Sequence, residues 1–345
     1  MRKVRLGIVG VGDAFRKLHR PALSQLPEVV IEMVADAQEE RARKTGQELR
    51  CRHTMDYREL MRDDGIDAVL VCVPPCFHEP VAVEAARAGK HILCEKPLAP
   101  TVAGCNVIVE AAAQAGVKLM VAENWLFDPL GVMMRQRVAD QSLGKLRRVR
   151  FFMSWWCDDA RLLQSAVPGR NGPLLEDGIH MIALSRALLG RPRSVTAAVR
   201  TVVCQRQTPT GTVSSQVEDE ATATLEFEEG TAVCEVTWLT QPGGLHTEFH
   251  FARASITAFS PGWDRLRTEA VMTDENGKTR DLDLPKLWVR TPSSEMSYLN
   301  EDAAFLRYVL DDVPSPYSGE EGREDVRILE LIYDAAEQEK KLNVS

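Results

Sequence analysis

The 345 residues include 42 Lys and Arg against 50 Asp and Glu, a formal net charge of -8, with no basic stripe of the kind nucleic acid requires. Hydrophobic residues make up 44% and charged residues 27% of the chain, the balance of an ordinary soluble protein that is too long for one core and points to two domains. No apolar run reaches the length of a membrane span, and Met1-Arg2-Lys3 leads directly into a strand. No nucleic-acid partner, no membrane and a cytoplasmic location are therefore expected.

Arg5 to Val9 reads as a buried strand running into Gly10-Val11-Gly12, with a helix starting near Asp13. Gly10 and Gly12 occupy the first two glycine places of a dinucleotide fingerprint, one for a tight turn and one for close backbone approach to a pyrophosphate. Phe15 stands in the third place, so it must either push the helix off the sheet or turn into the cleft. The next strand, Val30 to Ala35, ends in Asp36, at the spacing of the carboxylate that binds the adenosine ribose, although Asp36 can equally cap the helix through Leu49. Glu39 and Glu40 would repel a 2′-phosphate, favouring NAD, while Arg41 and Arg43 leave NADP open.

Asp67 to Val73 is a strand stopped by Pro74-Pro75, followed by a helix from about Glu79 to Ala88. The short strand His91 to Cys94 then delivers Glu95 and Lys96 to the carboxyl edge of the sheet, where open α/β sheets bind ligands. An isolated lysine in such a place is more often simply solvated. Thr101 can cap a helix over Val102 to Ala115 that Gly116 closes, and Val117 to Val121 makes another strand. This alternation means right-handed βαβ crossovers, so residues 1–123 are assigned to a Rossmann domain with a doubly wound parallel sheet.

Beyond it a helix near Pro129 to Ala139 precedes strand-like runs at Leu146–Cys157, Val195–Cys204, Ala221–Phe227, Ala232–Leu239 and Glu248–Phe259. Strands without helices between them predict an α+β domain over 124–345 with a large, mostly antiparallel open sheet. Asn171 to His180 leads into the apolar helix Met181 to Leu189. If that helix begins by Leu175, Glu176 and His180 share a face, and the carboxylate can orient the imidazole; Asp177 is the reserve candidate. Trp155 and Trp156 point to opposite faces of a strand, so at most one can stack on a ligand ring. Arg161, Arg170 and Asn171 precede the histidine and could hold polar substituents, or be solvated. His246 and His250 lie on a strand, too far apart to share a metal. The eight cysteines are scattered, so neither a metal site nor a disulfide framework is expected. Asp325 to Glu339 reads as an amphipathic packing helix.

The block Val69 to Ala99, with Pro74-Pro75, His78, Ala88-Gly89-Lys90-His91 and Glu95-Lys96-Pro97, resembles the most characteristic stretch of the Gfo/Idh/MocA oxidoreductases, a likeness running from Val4 to the end. The resemblance implies an NAD(P)-dependent oxidoreductase that moves a hydride between nicotinamide and a secondary hydroxyl or ketone of a sugar, sugar derivative or cyclitol. Lys96 would lie between nicotinamide and the reacting hydroxyl, stabilising an oxyanion, on a Lys96–Pro97 bond that is commonly cis in the family. His180 would exchange the hydroxyl proton, with Glu176 standing where the family has an Asp. Asn124, Phe127 and Pro129 match a family turn in part, with Leu126 in place of its arginine. The cofactor residues implied are Gly10, Gly12, Asp13, Phe15, Asp36, Pro74, His78, Glu95, Lys96 and Asn124. The substrate residues are Lys96, Trp155, Arg161, Arg170, Asn171 and His180. A homodimer or homotetramer through the C-terminal sheet is also implied. Two other readings remain: a glycoside-cleaving enzyme or lyase that uses NAD for transient oxidation, and a sugar-sensing regulator, which has little need of both Lys96 and His180.

Overall fold

A computed structural model describes residues 2–164, 169–261, 269–282, 293–315 and 317–344. The chain forms two compact units, Met1–Phe127 with Glu295–Val326, and Asp128–Ser294 with Arg327–Ser345. The first unit thus takes in a second segment from far along the chain. The helix Ser293–Asp311 returns to the first unit, where Tyr298 and Leu299 bury against Ala22.

In the first unit β1 (Val4–Val9), β2 (Val29–Ala35), β3 (Arg52–Thr54), β4 (Ala68–Val71), β5 (His91–Glu95) and β6 (Leu119–Ala122) form one sheet. Their order is β3-β2-β1-β4-β5-β6, and every pairing is parallel. The order reverses between β1 and β4, the switch point at which the carboxyl ends of such strands open a crevice. Both β4 and β6 are buried at every residue, as parallel strands covered on two faces must be. Local signals set the helices between them. The Thr101 hydroxyl accepts the Gly104 N–H at 3.2 Å, and Gly116, at φ 65°, closes the helix Val102–Ala115.

The second unit contains β7 (Leu146–Trp156), β8 (Ser194–Arg200), β9 (Gln205–Thr208), β10 (Gly211–Ser214), β11 (Glu220–Glu226), β12 (Thr231–Thr237), β13 (Leu239–Phe251), β14 (Ala254–Pro261), β15 (Glu269–Asp274), β16 (Thr279–Asp281) and β17 (Leu342–Asn343). Nine of these make a sheet ordered β16-β15-β14-β13-β7-β12-β11-β8-β17, antiparallel except where β12 runs parallel to β7. One face buries Val149, Phe151, Cys234, Phe249 and Ile256, and the helix Ile179–Leu189 packs on β7 and β12. On the other face His246 lies opposite both Phe152 and Phe259, which are 37% and 46% exposed.

The run Glu248–Phe259, read as one strand, is parts of two strands that turn at Ala252-Arg253, where neither glycine nor proline marks the reversal. The hairpin β9–β10 lies in a polar stretch without apolar alternation, which is why the sequence does not announce it. Among the described residues no helix is long and apolar enough to cross a membrane. The Thr101 cap makes a simple test of the local reading: Thr101→Ala is expected to lower the unfolding free energy by ~1 kcal/mol in urea titration.

Candidate active site

At the end of β1 the chain turns through Gly10, at φ 90°. A Cβ there would lie 2.6 Å from the Cys72 carbonyl oxygen, so glycine is required on both conformational and steric grounds. At Gly12 the nearest atom to a Cβ would be Arg41 Nη1 at 3.7 Å, which leaves its backbone open to a ligand. Asp36 follows β2 and is fastened to this turn: one oxygen accepts the Val11 N–H at 3.0 Å and the other the Gln38 N–H at 2.9 Å. Arg41 Nε lies 3.3 Å from the same carboxylate, whereas Arg43 turns away onto Glu40. The exposed Asp13 carboxylate pairs with Arg16 and Lys17, and hydrogen bonds from both hold it below the ordinary range. Phe15 corrects its expectation. It is fully buried and opens a π-helical turn, Phe15–His19, so its ring belongs to the core and has no surface to offer a cofactor.

Strand β5 ends at Glu95, and Lys96 follows half-buried, joined to Pro97 by a cis peptide bond as the resemblance implies. The buried Glu95 carboxylate accepts the Lys96 backbone N–H at 3.0 Å and stands 3.1 Å from His19 Nε2. His78 is placed otherwise than expected. It is fully buried, its ring nitrogens lie 2.8 Å from the Pro97 carbonyl and 2.9 Å from that of Val73, and burial holds its pKa below the ordinary imidazole range. It thus braces the lysine turn from within the core. Pro74 is exposed at the start of the turn Pro75–Phe77. The Asn124 amide is buried and donates to the Ser297 hydroxyl at 3.1 Å.

In the second unit the segment before His180 is built on a buried acid that the sequence does not reveal. Glu218 accepts the N–H groups of Gly172 at 2.9 Å and Leu174 at 3.1 Å and the Tyr333 hydroxyl at 2.8 Å. Gly172 must be a glycine here, because a Cβ would lie 2.2 Å from the Glu218 carbonyl oxygen. The acid therefore satisfies the open N–H groups where the chain enters the π-helical turn Leu174–Gly178 and then the helix Ile179–Leu189. Burial pushes the Glu218 carboxyl up to about 7 in spite of these donors.

Asp177, 3% exposed, accepts two indole N–H groups on one oxygen, from Trp155 at 2.8 Å and Trp238 at 3.0 Å. Glu176 is half-buried, and His180 is 9% exposed. The remaining substrate candidates are engaged in the unit's own structure. Trp155 is committed to Asp177, and the Trp156 ring lies 4.7 Å from the Arg206 guanidinium, itself in a buried ion pair with Asp219. Arg161 pairs with Asp159. Arg170 bonds Asp334 and Glu337 and lies over the Tyr333 ring, and Asn171 donates its backbone N–H to the Tyr333 hydroxyl.

A glycine turn at the switch point of a parallel sheet, with a carboxylate fixed beside it at the end of the neighbouring strand, defines a dinucleotide-binding Rossmann domain. The open backbone at Gly12 and the acceptor Asp36 fit the pyrophosphate and ribose of NAD. Residues 4–123 match the oxidoreductase family with an NAD-binding Rossmann fold, and residues 132–257 match the Gfo/Idh/MocA C-terminal domain. The chain belongs to the Gfo/Idh/MocA oxidoreductase family. It is similar to myo-inositol 2-dehydrogenase of Thermotoga maritima, 26% identical over 93% of this chain and 92% of that protein. It is also similar to scyllo-inositol 2-dehydrogenase (NADP(+)) of Bacillus subtilis, 22% identical over 98% of this chain and 95% of that one. Among solved structures, levoglucosan dehydrogenase in complex with NADH and L-sorbose shares the fold with a TM-score of 0.89, at 22% identity and full coverage of both chains.

Glu218 gives a test with a definite sign. Its folded pKa of about 7 lies above the ordinary 4.5, so its contribution to stability is full below pH 4.5 and is lost, by roughly 3 kcal/mol, as pH rises through 7. Thermal unfolding of Glu218→Gln between pH 4.5 and 7.5 is expected to show a flatter loss of stability with rising pH than the native chain.

Proposed function

We propose that the chain is an NAD(P)-dependent dehydrogenase acting on a secondary hydroxyl of a sugar, sugar derivative or cyclitol. The observation that carries this reading is Lys96, half-buried just after β5 at the carboxyl edge of the parallel sheet. The inositol dehydrogenases among its relatives support the substrate class. NAD, when bound, supplies the hydride acceptor. The Lys96 ammonium stabilises the oxyanion that develops as the carbinol is oxidised. His180 takes the hydroxyl proton, and Glu176 orients its imidazole. Asp177, fastened to two indoles, anchors the turn that carries both. Asp36 receives the ribose hydroxyls, and Arg41 beside it admits a 2′-phosphate as well.

Lys96→Ala and His180→Ala are each expected to lower kcat by roughly 100-fold to 1000-fold while NAD affinity stays within about threefold. Full turnover in either variant would refute its role. A screen of sugars, cyclitols and sugar nucleotides with NAD and NADP, following nicotinamide absorbance, tests the substrate class; glycoside cleavage without net NADH would overturn it. Arg41→Ala should reduce the use of NADP relative to NAD by about tenfold, read as the ratio of kcat/KM values. The exposed row Phe152, His246 and Phe259 supports a homodimer or homotetramer through the C-terminal sheet. Sedimentation of the native chain should give a dimer or tetramer, and Phe152→Glu should dissociate it.

A further inference from the structure

Inside the nucleotide-binding unit, four ionisable side chains from distant parts of the sequence are buried together. His19 ends the π-helical turn that follows the glycines, Glu95 precedes Lys96, and Glu301 and Asp302 lie on the helix Ser293–Asp311. His19 and Glu301 are fully buried, and Asp302 is 1% exposed. Nδ1 of His19 lies 2.9 Å from Asp302 Oδ1, and Nε2 lies 3.1 Å from Glu95 Oε1. With both carboxylates ionised each can only accept, and a ring bonded to the two then donates from both nitrogens as an imidazolium. The Tyr298 ring meets it edge-on at 4.9 Å.

The charges around it agree. Burial pulls the His19 imidazolium down, but Asp302 and then Glu95 outweigh it and hold the ring well above the ordinary imidazole range. Burial likewise pushes Glu95 up, and the His19 contact, aided by Lys96, reverses this and holds it below the ordinary carboxylate range. Asp302 is raised by burial, with His19 limiting the rise. Among the described residues Glu301 has no hydrogen-bond partner on either oxygen. Burial, opposed by His19 and reinforced by Glu95, Asp302 and Glu123, pushes it well above its ordinary range. The nearby Cys72 thiol is raised by burial and by Glu95 and Asp302. Ligand atoms of His19, Glu301 and Asp302 fall within 4.8 Å of one another, a spread that a cation could bridge. A metal would need a ring lone pair, however, and both ring nitrogens already face carboxylates at hydrogen-bond distance.

We propose that His19 is a positioning residue for Lys96: bridging Asp302 and Glu95, it fixes the carboxylate that holds the Lys96 backbone and ties the cofactor turn to the lysine turn. The proposal rests on the reading of Lys96 as the oxyanion stabiliser. Nitrogen-15 NMR of the histidine-labelled full chain should find, among its seven histidines, one imidazolium that persists at pH 8. His19→Gln should abolish that signal and lower kcat by about tenfold or more, with NAD affinity and KM within threefold. Asp302→Asn should move the same signal toward ordinary titration and lower kcat in parallel. Glu301→Gln, which keeps the side chain's shape and leaves the bridge from His19 to Asp302 and Glu95 in place, should leave kcat within about twofold. The proposal is overturned by the absence of a persistent imidazolium, by native kcat in His19→Gln, by a tenfold loss in Glu301→Gln, or by one bound transition metal per chain. If His19→Gln does not fold, the native NMR signal and the other two variants decide. Lys96→Ala, measured in parallel, separates the two readings: its full activity sinks the role of Lys96, whereas its loss of activity beside an unimpaired His19→Gln sinks only the positioning role.

Discussion

A carboxylate removed from water has to be paired, bonded to donors or protonated, and both units are built around acids that meet this demand beside their candidate chemistry. Glu95 is paired with His19 and accepts the Lys96 N–H. Asp177 accepts two indoles within the turn leading to His180, and Glu218 gathers two backbone N–H groups and a phenol where that turn begins. In each case the donors converge from separate elements. The acid therefore fixes the relative placement of those elements, and an Ala in its place would leave several buried donors unsatisfied at once. The positions of Lys96 and His180 are consequences of these buried acids.

Backbone geometry points to the same places. The two π-helical segments among the described residues are Phe15–His19, after the glycine turn, and Leu174–Gly178, before the helix of His180. A π turn widens the helix and changes which side chains share a face, and such turns collect at functional sites. Here one buries Phe15 and His19 together, and the other sends Asp177 inward to the indoles. Glu176 and His180 thus lie on successive π-helical and α-helical segments rather than on one regular α-helix.

What could be read from the sequence was local. The alternation of strand and helix, the glycine turn, Asp36, the Thr101 cap and the Glu95-Lys96-Pro97 block each reside in a few neighbouring residues, and each is where it was expected. What escaped was long-range. His19 meets Asp302 across 283 positions, Asp177 meets Trp238 across 61 and Glu218 meets Gly172 across 46. No periodicity or spacing rule connects such pairs, so Arg170 and Trp155 looked available for substrate when their partners lay elsewhere in the fold. His78 and Phe15 misled for a related reason: they lie within motifs that touch ligands, but their side chains face the core.

The return of Glu295–Val326 to the first unit has a consequence for the order in which the protein assembles. Strands β1 to β6 leave the ribosome before residues 295–326, so the interior of the first unit lacks Asp302, Tyr298 and Leu299 until that segment has been synthesised. Until then His19 lacks its second carboxylate, and an apolar patch around Ala22 lacks Tyr298 and Leu299. The half of the molecule made first is completed last, so closing that long loop, rather than forming the sheet, is the step at which the lysine turn acquires its final support.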